Sequence, residues 1–95
     1  MELRQLRHLT AVLQRASFSA AANDLNITQP ALSKSLRTLE KSLGVRLLDR
    51  GPSGVRATVY GEQLAAYAHL VLAQVSEAEQ EIEALRGARK GRLRI

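Results

Sequence analysis

The chain has no cysteine among its 95 residues, so disulfide bonds and thiolate metal sites are excluded. A cysteine-free composition fits a reducing compartment. No apolar run approaches the roughly 20 residues of a membrane-spanning helix. The amino terminus, Met1-Glu2-Leu3-Arg4, lacks the apolar stretch of a secretory signal. We therefore expect a cytoplasmic protein without a membrane partner.

Aromatic residues are also scarce, since only Phe18, Tyr60 and Tyr67 are present. Three aromatic rings are too few for a platform on which unpaired bases stack, which disfavours binding of single-stranded DNA or RNA. Duplex DNA instead requires cations and a protruding helix.

Several kinds of chemistry find no support in the sequence. It contains no clustered carboxylates, no pair of nucleophile and base, and no glycine loop that would hold a phosphate. His8 and His69 lie on separate predicted helices without neighbouring metal ligands. We therefore expect no enzymatic activity, no metal and no cofactor.

The positive charge is unevenly distributed. The net charge is +5 and the pI is near 10.5. Cations dominate residues 1–60, five glutamates against Arg86 make residues 61–86 acidic, and residues 87–95 are basic again. This pattern indicates a polyanionic partner for the first part of the chain, although an ordinary basic surface has a similar net charge.

Residues 1–44 have the spacing of three helices, over about 2–15, 19–25 and 29–43. Ser19 is a candidate N-cap of the second helix and Thr28 of the third, which ends at Gly44. Leu32, Leu36, Leu39 and Leu43 form one apolar stripe on the third helix, and Lys34 and Arg37 lie on the opposite face. A short helix, a turn at residues 25–28 and a second helix with a cationic outer face predict a helix-turn-helix.

The next segment predicts a β-hairpin. Residues 45–48 and 55–58 have strand character, and they flank a Gly/Pro-rich tip at residues 49–54. A hairpin directly after a helix-turn-helix is typical of a wing. The expected fold class is therefore mainly α, with a winged helix-turn-helix over residues 1–58.

Residues 59–86 predict one long helix, with Thr58 as its candidate N-cap. Its apolar residues follow a heptad spacing of alternating four and three. These positions are Leu64, Ala68, Val71, Val75, Ala78, Ile82 and Leu85. Such a stripe favours pairing with a second copy of the chain, and the alternative is that it packs against its own domain or against a domain outside this sequence. Gly87 is expected to end the helix, with a basic linker after it and the start of a strand at residues 92–95.

The residues of the helix-turn-helix resemble a known family. Residues 17–22 (SFSAAA), 25–33 (LNITQPALS), 39–40 (LE), 43–45 (LGV) and 47–50 (LLDR) are similar to the amino-terminal domain of LysR-type transcriptional regulators. The resemblance spans residues 1–86 and implies a bacterial regulator of transcription. It further implies an antiparallel dimer of linker helices, a tetrameric full-length protein and an inverted-repeat operator in double-stranded DNA. Residues 87–95 resemble the hinge into an effector-binding domain, which would hold any ligand.

The same resemblance assigns roles to individual residues. Gln29, Pro30, Ser33 and Lys34 match the base-reading positions, although the family more often has arginine where this chain has Lys34. Ser17, Ser19, Thr28 and Arg37 are candidate phosphate contacts, and Arg50 and Arg56 belong to the wing. Each has a plain structural alternative: Ser19 and Thr28 as helix caps, Pro30 as a helix start, Arg37 as a solvated cation, and Arg50 as a partner of Asp49.

Overall fold

The computed structural model describes residues 1–94, and it describes the side chains of residues 1–88. The elements in chain order are the helices α1 (Leu3–Arg15), α2 (Phe18–Leu25) and α3 (Gln29–Leu43), the strands β1 (Leu48–Gly51) and β2 (Gly54–Ala57), and the helix α4 (Val59–Arg94). The predicted winged helix-turn-helix followed by a long helix is confirmed. No helix of the described part is long and apolar enough to cross a membrane.

Side-chain caps set the starts of α2, α3 and α4. The amide of Ala20 donates to Ser17 Oγ at 3.1 Å, so Ser17 caps α2. The prediction that Ser19 is this cap is wrong, because α2 begins one residue earlier at Phe18. Thr28 caps α3 through the amide of Ala31, and Thr58 caps α4 through the amide of Gly61, both as expected.

The core lies where α1, α2 and α3 meet. Leu9 and Val12 of α1 and Leu32, Leu36 and Leu39 of α3 are almost fully buried. Between them stand Ala21 and Ala22 of α2, whose small side chains allow the neighbouring helices to approach closely. The inner stripe of α3 therefore faces the core as predicted, except that Leu43 at its end is 39% exposed.

A polar contact inside this packing joins α1 to α3. His8 Nδ1 lies 2.6 Å from Ser35 Oγ. Burial, together with the positive charge of Arg4, lowers the pKa of His8 from its ordinary value of 6.5. The folded chain therefore prefers the neutral imidazole, and it loses stability as the pH falls below about 6.5, where the unfolded chain binds the proton more readily.

The wing is an antiparallel hairpin with a shorter tip than predicted. Leu48 pairs with Ala57 and Gly51 pairs with Gly54, so the turn consists of Pro52 and Ser53 alone. The strand predicted over residues 45–48 begins only at Leu48, because the amide of Leu47 donates to a side chain of α3 instead of to a neighbouring strand. Gly54 adopts a φ of 119°, a conformation that favours glycine.

Helix α4 is longer than predicted. It passes through Gly87 and continues to Arg94, so residues 92–94 are helical and do not begin a strand. Ile95 lies outside the described residues. A glycine inside a helix costs about 1 kcal/mol relative to alanine but keeps its N–H donor, so glycine alone does not end a helix. Among the described residues, the glycines with positive φ are Gly44 and Gly54.

The heptad stripe of α4 is divided between two environments. Ala68 is fully buried, and Leu64 packs against the core cluster of the domain, where α4 contacts α1. Further along α4, Ile82 is 65% exposed and Leu85 is 57% exposed. The alternative that the stripe packs on its own domain therefore holds for its first two positions, and the exposed positions remain free for a partner.

The start of α4 packs closely on the segment before the wing, and this makes Gly61 a sensitive position. A Cβ at Gly61 would overlap the carbonyl oxygen of Leu47, whereas a Cβ at Gly87 meets nothing within 4 Å. We expect Gly61→Ala to lower the free energy of unfolding by about 1–3 kcal/mol. Gly87→Ala, the matched control within the same helix, should raise it by up to about 1 kcal/mol. Urea unfolding followed by circular dichroism measures both, and an unchanged Gly61→Ala midpoint would contradict the close packing.

Candidate nucleic-acid interface

The outer face of α3 carries exposed polar and cationic side chains. Gln29, Pro30, Lys34 and Arg37 are exposed there, and Ser33 is half-buried. The turn before α3 gives this helix its direction: Asn26 has a left-handed φ of 58°, and Ile27 packs partly against the core. The structure thus brings the predicted base-reading residues together on one protruding helix.

The first of these residues is held in place by α2. The hydroxyl of Ser19 donates to Gln29 Oε1 at 3.2 Å. Ser19 therefore does not cap a helix but orients the amide of Gln29 at the exposed start of α3. The Nε2 donors of Gln29 and one lone pair of its Oε1 remain available to a ligand.

The wing reaches the same surface through Arg50. Its guanidinium carbon lies 3.6 Å from the centroid of the Phe18 ring, and its Nη2 donates to Ser33 Oγ at 2.7 Å. A cation stacked on an aromatic face gains about 0.5–2 kcal/mol, depending on its exposure to solvent. Arg50 is therefore positioned between α2 and α3 in the free protein, and it adds a planar cation beside the outer face of α3.

A side chain of α3 also binds the backbone at the start of the wing. Glu40 Oε2 accepts hydrogen bonds from the amides of Leu47 and Leu48, at 2.7 Å and 3.3 Å. At the second strand of the wing, the amide of Val55 donates to the carbonyl of Ala16 at 3.3 Å. These contacts attach the wing to α3 at its base and to the junction of α1 and α2 at its second strand.

Arg56 occupies a different face of the wing. Arg56 is opposite Asp49 in the hairpin, whereas Arg50 is opposite Val55. Directly paired residues of an antiparallel ladder point to the same side, and successive residues alternate. Arg56 therefore points away from the side on which Arg50 meets α3. The expected alternative partner of Arg50 is wrong, because Asp49 pairs with Arg46 at 3.6 Å instead.

Ser17 and Thr28 have their oxygens engaged as helix caps. Each cap uses an acceptor lone pair and leaves the hydroxyl proton free to donate. Thr28 is exposed and Ser17 is half-buried. Capping and contact with a phosphate are therefore compatible at both residues.

Two positioning residues, Phe18 and Glu40, were not predicted from the sequence. Phe18 appeared only as part of a motif, and nothing in its spacing indicates a contact with Arg50, 32 residues later. The sequence contains one weak indication of a specific role for Glu40, which is an acidic residue on the otherwise cationic helix α3. In the structure its side chain is half-buried. Both contacts depend on how the wing folds back on α3, and a helical periodicity does not contain that information.

The comparison with family models decides what kind of domain this is. Residues 3–62 match the model described as "Bacterial regulatory helix-turn-helix protein, lysR family". The chain belongs to the LysR family. The predicted resemblance is thereby confirmed on the segment that carries the helix-turn-helix, the wing and the start of α4.

Individual relatives agree with the family model. The chain is 39% identical over 94 residues to the SDS degradation transcriptional activation protein of Pseudomonas sp., covering 99% of this chain and 31% of that protein. It is 43% identical over 77 residues to the transcriptional regulator BenM of Acinetobacter baylyi, covering 81% of this chain and 25% of BenM. The chain thus spans about a third or less of the length of these relatives.

A solved structure of the BenM DNA-binding domain, in complex with catB site 1 DNA, superposes on this fold with a TM-score of 0.86. The two chains are 39% identical, and the superposition covers 90% of this chain and 96% of that one. The arrangement of α3, wing and α4 is therefore the LysR-type arrangement.

The wing anchor yields a stability test. Glu40→Gln replaces a charged acceptor of two amides by a neutral one, and hydrogen bonds to charged groups are the stronger kind. We expect a loss of about 1 kcal/mol in the free energy of unfolding and faster hydrogen exchange at the amides of Leu47 and Leu48. Glu83→Gln, which removes only an exposed pair with Arg86, is the control and should stay within about 0.5 kcal/mol. Equal effects of the two variants would show that Glu40 does not anchor the wing.

Proposed function

We propose that this LysR-type domain binds double-stranded DNA sequence-specifically, with α3 in the major groove. The observation that carries this proposal is the outer face of α3, where Gln29, Pro30, Ser33 and Lys34 stand together beside Arg50. The major groove is about 12 Å wide and admits one helix, whose exposed side chains then meet the base edges. The similar BenM domain, which was crystallised with DNA, supports the proposal.

The base-reading roles follow from side-chain chemistry. Gln29, oriented by Ser19, offers the donor and acceptor pair that matches the edge of an adenine. Pro30 is exposed in the first turn of α3, where its ring can contact a thymine methyl group. Lys34 contributes a point charge near the bases, without the planar fork with which arginine recognises guanine.

The proposed phosphate contacts lie on several sides of α3. Arg37 is exposed on α3 and Arg50 is held beside Ser33. Ser17, Ser19 and Thr28 supply hydroxyl donors at the starts of α2 and α3, on the flank of the same surface. Arg56 would contact the backbone from the other face of the wing. Phosphate contacts of this kind orient a protein on the duplex, and base contacts supply the sequence preference.

The second part of the proposal is a homodimer through α4. Val71, Ile82 and Leu85 are exposed apolar side chains on a helix that leaves the domain, and antiparallel pairing with a second α4 would cover them. Two domains related by a twofold axis would read an inverted repeat. We further propose that the complete protein is a cytoplasmic, tetrameric regulator of transcription without enzymatic activity, whose effector ligand binds outside this chain.

Base reading and charge give different signatures in binding experiments. An operator is first selected from a random duplex pool with the 95-residue chain. Gln29→Ala should weaken binding to that operator about 5- to 150-fold and leave random duplex almost unaffected, because one bidentate base contact is worth about 1–3 kcal/mol. Arg37→Ala, at a proposed phosphate contact, should weaken both and reduce the salt slope by about one. Fluorescence anisotropy at several salt concentrations measures these effects.

Gln14→Ala, at an exposed position of α1 away from this surface, is the matched control for Gln29→Ala and should bind as the unmodified chain does. If Gln29→Ala lowered operator and random-duplex affinity equally, Gln29 would not read a base. If selection returned no preferred sequence, the specific recognition itself would be wrong.

The dimer is tested on the exposed half of α4. Ile82→Glu places a charge in the proposed interface and leaves the domain core untouched, because Ile82 is 65% exposed. We expect this variant to sediment as a monomer at concentrations at which the unmodified chain is a dimer. Ala84→Glu adds the same charge on the opposite side of α4 and should remain dimeric. A persistent Ile82→Glu dimer would place the interface elsewhere.

A further inference from the structure

The hydrogen bond between the wing and α3 determines which atoms of Ser33 are available to a ligand. Arg50 Nη2 donates to Ser33 Oγ at 2.7 Å. A guanidinium carries N–H donors and no acceptor, so Ser33 Oγ accepts in this contact. The hydroxyl proton of Ser33 therefore points away from Arg50, and it is available to donate to another group.

The packing of Arg50 on α2 gives this contact a fixed direction. The guanidinium carbon lies 3.6 Å from the centroid of the Phe18 ring, and Phe18 is buried. The start of the wing is attached to α3 by the carboxylate of Glu40. A hydrogen bond from a cation is also shorter and stronger than one between neutral groups. Ser33 thus meets a positioned cation already in the free protein.

The charge of Arg50 is not neutralised by an acidic side chain. The acidic residue of β1, Asp49, pairs with Arg46, and the carboxylate of α3, Glu40, accepts from backbone amides. In the part of the chain with described side chains, no ion pair includes Arg50. The surroundings of Ser33 Oγ therefore carry a net positive charge.

A serine without such a neighbour does not distinguish the bases well. Its hydroxyl can donate to a carbonyl group or accept from an amino group on a base edge. In the major groove, guanine and thymine present a carbonyl oxygen, whereas adenine and cytosine present an amino group. Beside Arg50 the two are no longer equivalent, because the Ser33 proton faces outward and an amino group would bring its partly positive hydrogens towards the guanidinium.

We propose that Arg50 is a specificity-determining residue that acts through Ser33. By holding the Ser33 hydroxyl as a donor, it makes α3 prefer a base with a carbonyl group, guanine or thymine, over one with an amino group. This inference rests on the proposed function and names the base chemistry that one of its residues reads. The remaining N–H donors of Arg50 can contact a phosphate at the same time, so one side chain couples a backbone contact to a base preference.

The base pair that Ser33 contacts is found first. Selection from the random duplex pool is repeated with Ser33→Ala, which should lose its preference at that base pair and keep it elsewhere. Fluorescence anisotropy then measures the affinity of the unmodified chain for operators carrying each of the four base pairs there. We expect guanine and thymine on one strand to bind about 2- to 10-fold more tightly than adenine and cytosine on that strand, as one hydrogen bond allows.

Arg50→Met tests the role of the guanidinium. Methionine keeps an unbranched side chain that can pack on Phe18, but it removes the charge and the donors. Because Arg50 is exposed, the variant should fold normally. We expect weaker binding to all four operators through the lost cation, and a ratio between the two groups of bases that approaches one. In the Ser33→Ala background, Arg50→Met should change no ratio, because the residue through which it acts is gone.

Two controls separate this effect from the loss of charge. Arg56→Met removes the same charge from the other face of the wing, where Arg56 is opposite Asp49, and it should keep the ratio of the unmodified chain. The second control is the base pair that Gln29→Ala identifies. Its preference should persist in Arg50→Met, because Ser19 orients Gln29.

The outcomes distinguish this inference from the proposed function. An unchanged ratio in Arg50→Met, or an equal loss in Arg56→Met, would show that Arg50 does not act through Ser33, while specific binding would stand. A Ser33→Ala variant that keeps every preference, or a preference that does not group guanine with thymine, would overturn the inference in the same way. If no sequence were selected by the unmodified chain, the proposed function would be wrong, and the inference with it.

Discussion

Burial of the leucine stripe of α3 is the constraint on which the rest of the structure depends. Leu32, Leu36 and Leu39 are almost fully buried against α1 and α2, so α3 has one permitted orientation. Because a helix repeats every 3.6 residues, burying that stripe forces Gln29, Lys34 and Arg37 to the opposite, exposed side. The core therefore positions the residues that we propose to contact DNA, and those residues contribute little to the core in return.

The wing extends this rigid arrangement to a second element. Glu40 holds its base through two backbone amides, and Phe18 and Ser33 hold Arg50 near its tip. The free protein thus fixes the conformational freedom of a long arginine side chain before any ligand arrives. Since immobilising such a side chain on binding costs about 0.5–1.5 kcal/mol, this preorganisation favours association. Glu40 and Phe18 accordingly act on a ligand through the wing rather than by touching it.

The periodicity of apolar residues predicted the elements that depend on local sequence. It did not predict the contacts between segments that are distant in the sequence. The helices, the caps at Thr28 and Thr58, and the end of α3 at Gly44 follow from local spacing and local chemistry. The cap of α2 was misplaced because a second serine, Ser17, stands two residues before Ser19 and takes the capping position. The start of β1 was misplaced because of a contact to another element, Glu40. The prediction that Gly87 ends the helix is wrong, because α4 continues through it. A helix end needs a left-handed residue or lost hydrogen bonds, and the amino-acid composition shows neither. The roles of the individual DNA-facing residues remain predictions.

The heptad spacing of α4 correctly identifies an apolar stripe, but the spacing alone does not define which of its residues form an interface. Seven residues share this spacing, but Leu64 and Ala68 pack within their own domain. A second helix can contact only the exposed positions of the stripe. Near the domain, Tyr60 and Tyr67, which are not heptad positions, add exposed apolar surface to it. A pure helix pair would tolerate a shift by one heptad, and every such shift would change the distance between the two α3 helices by about 10 Å. In the proposed dimer, the register of the helix pair would therefore set the separation between the two DNA-reading surfaces.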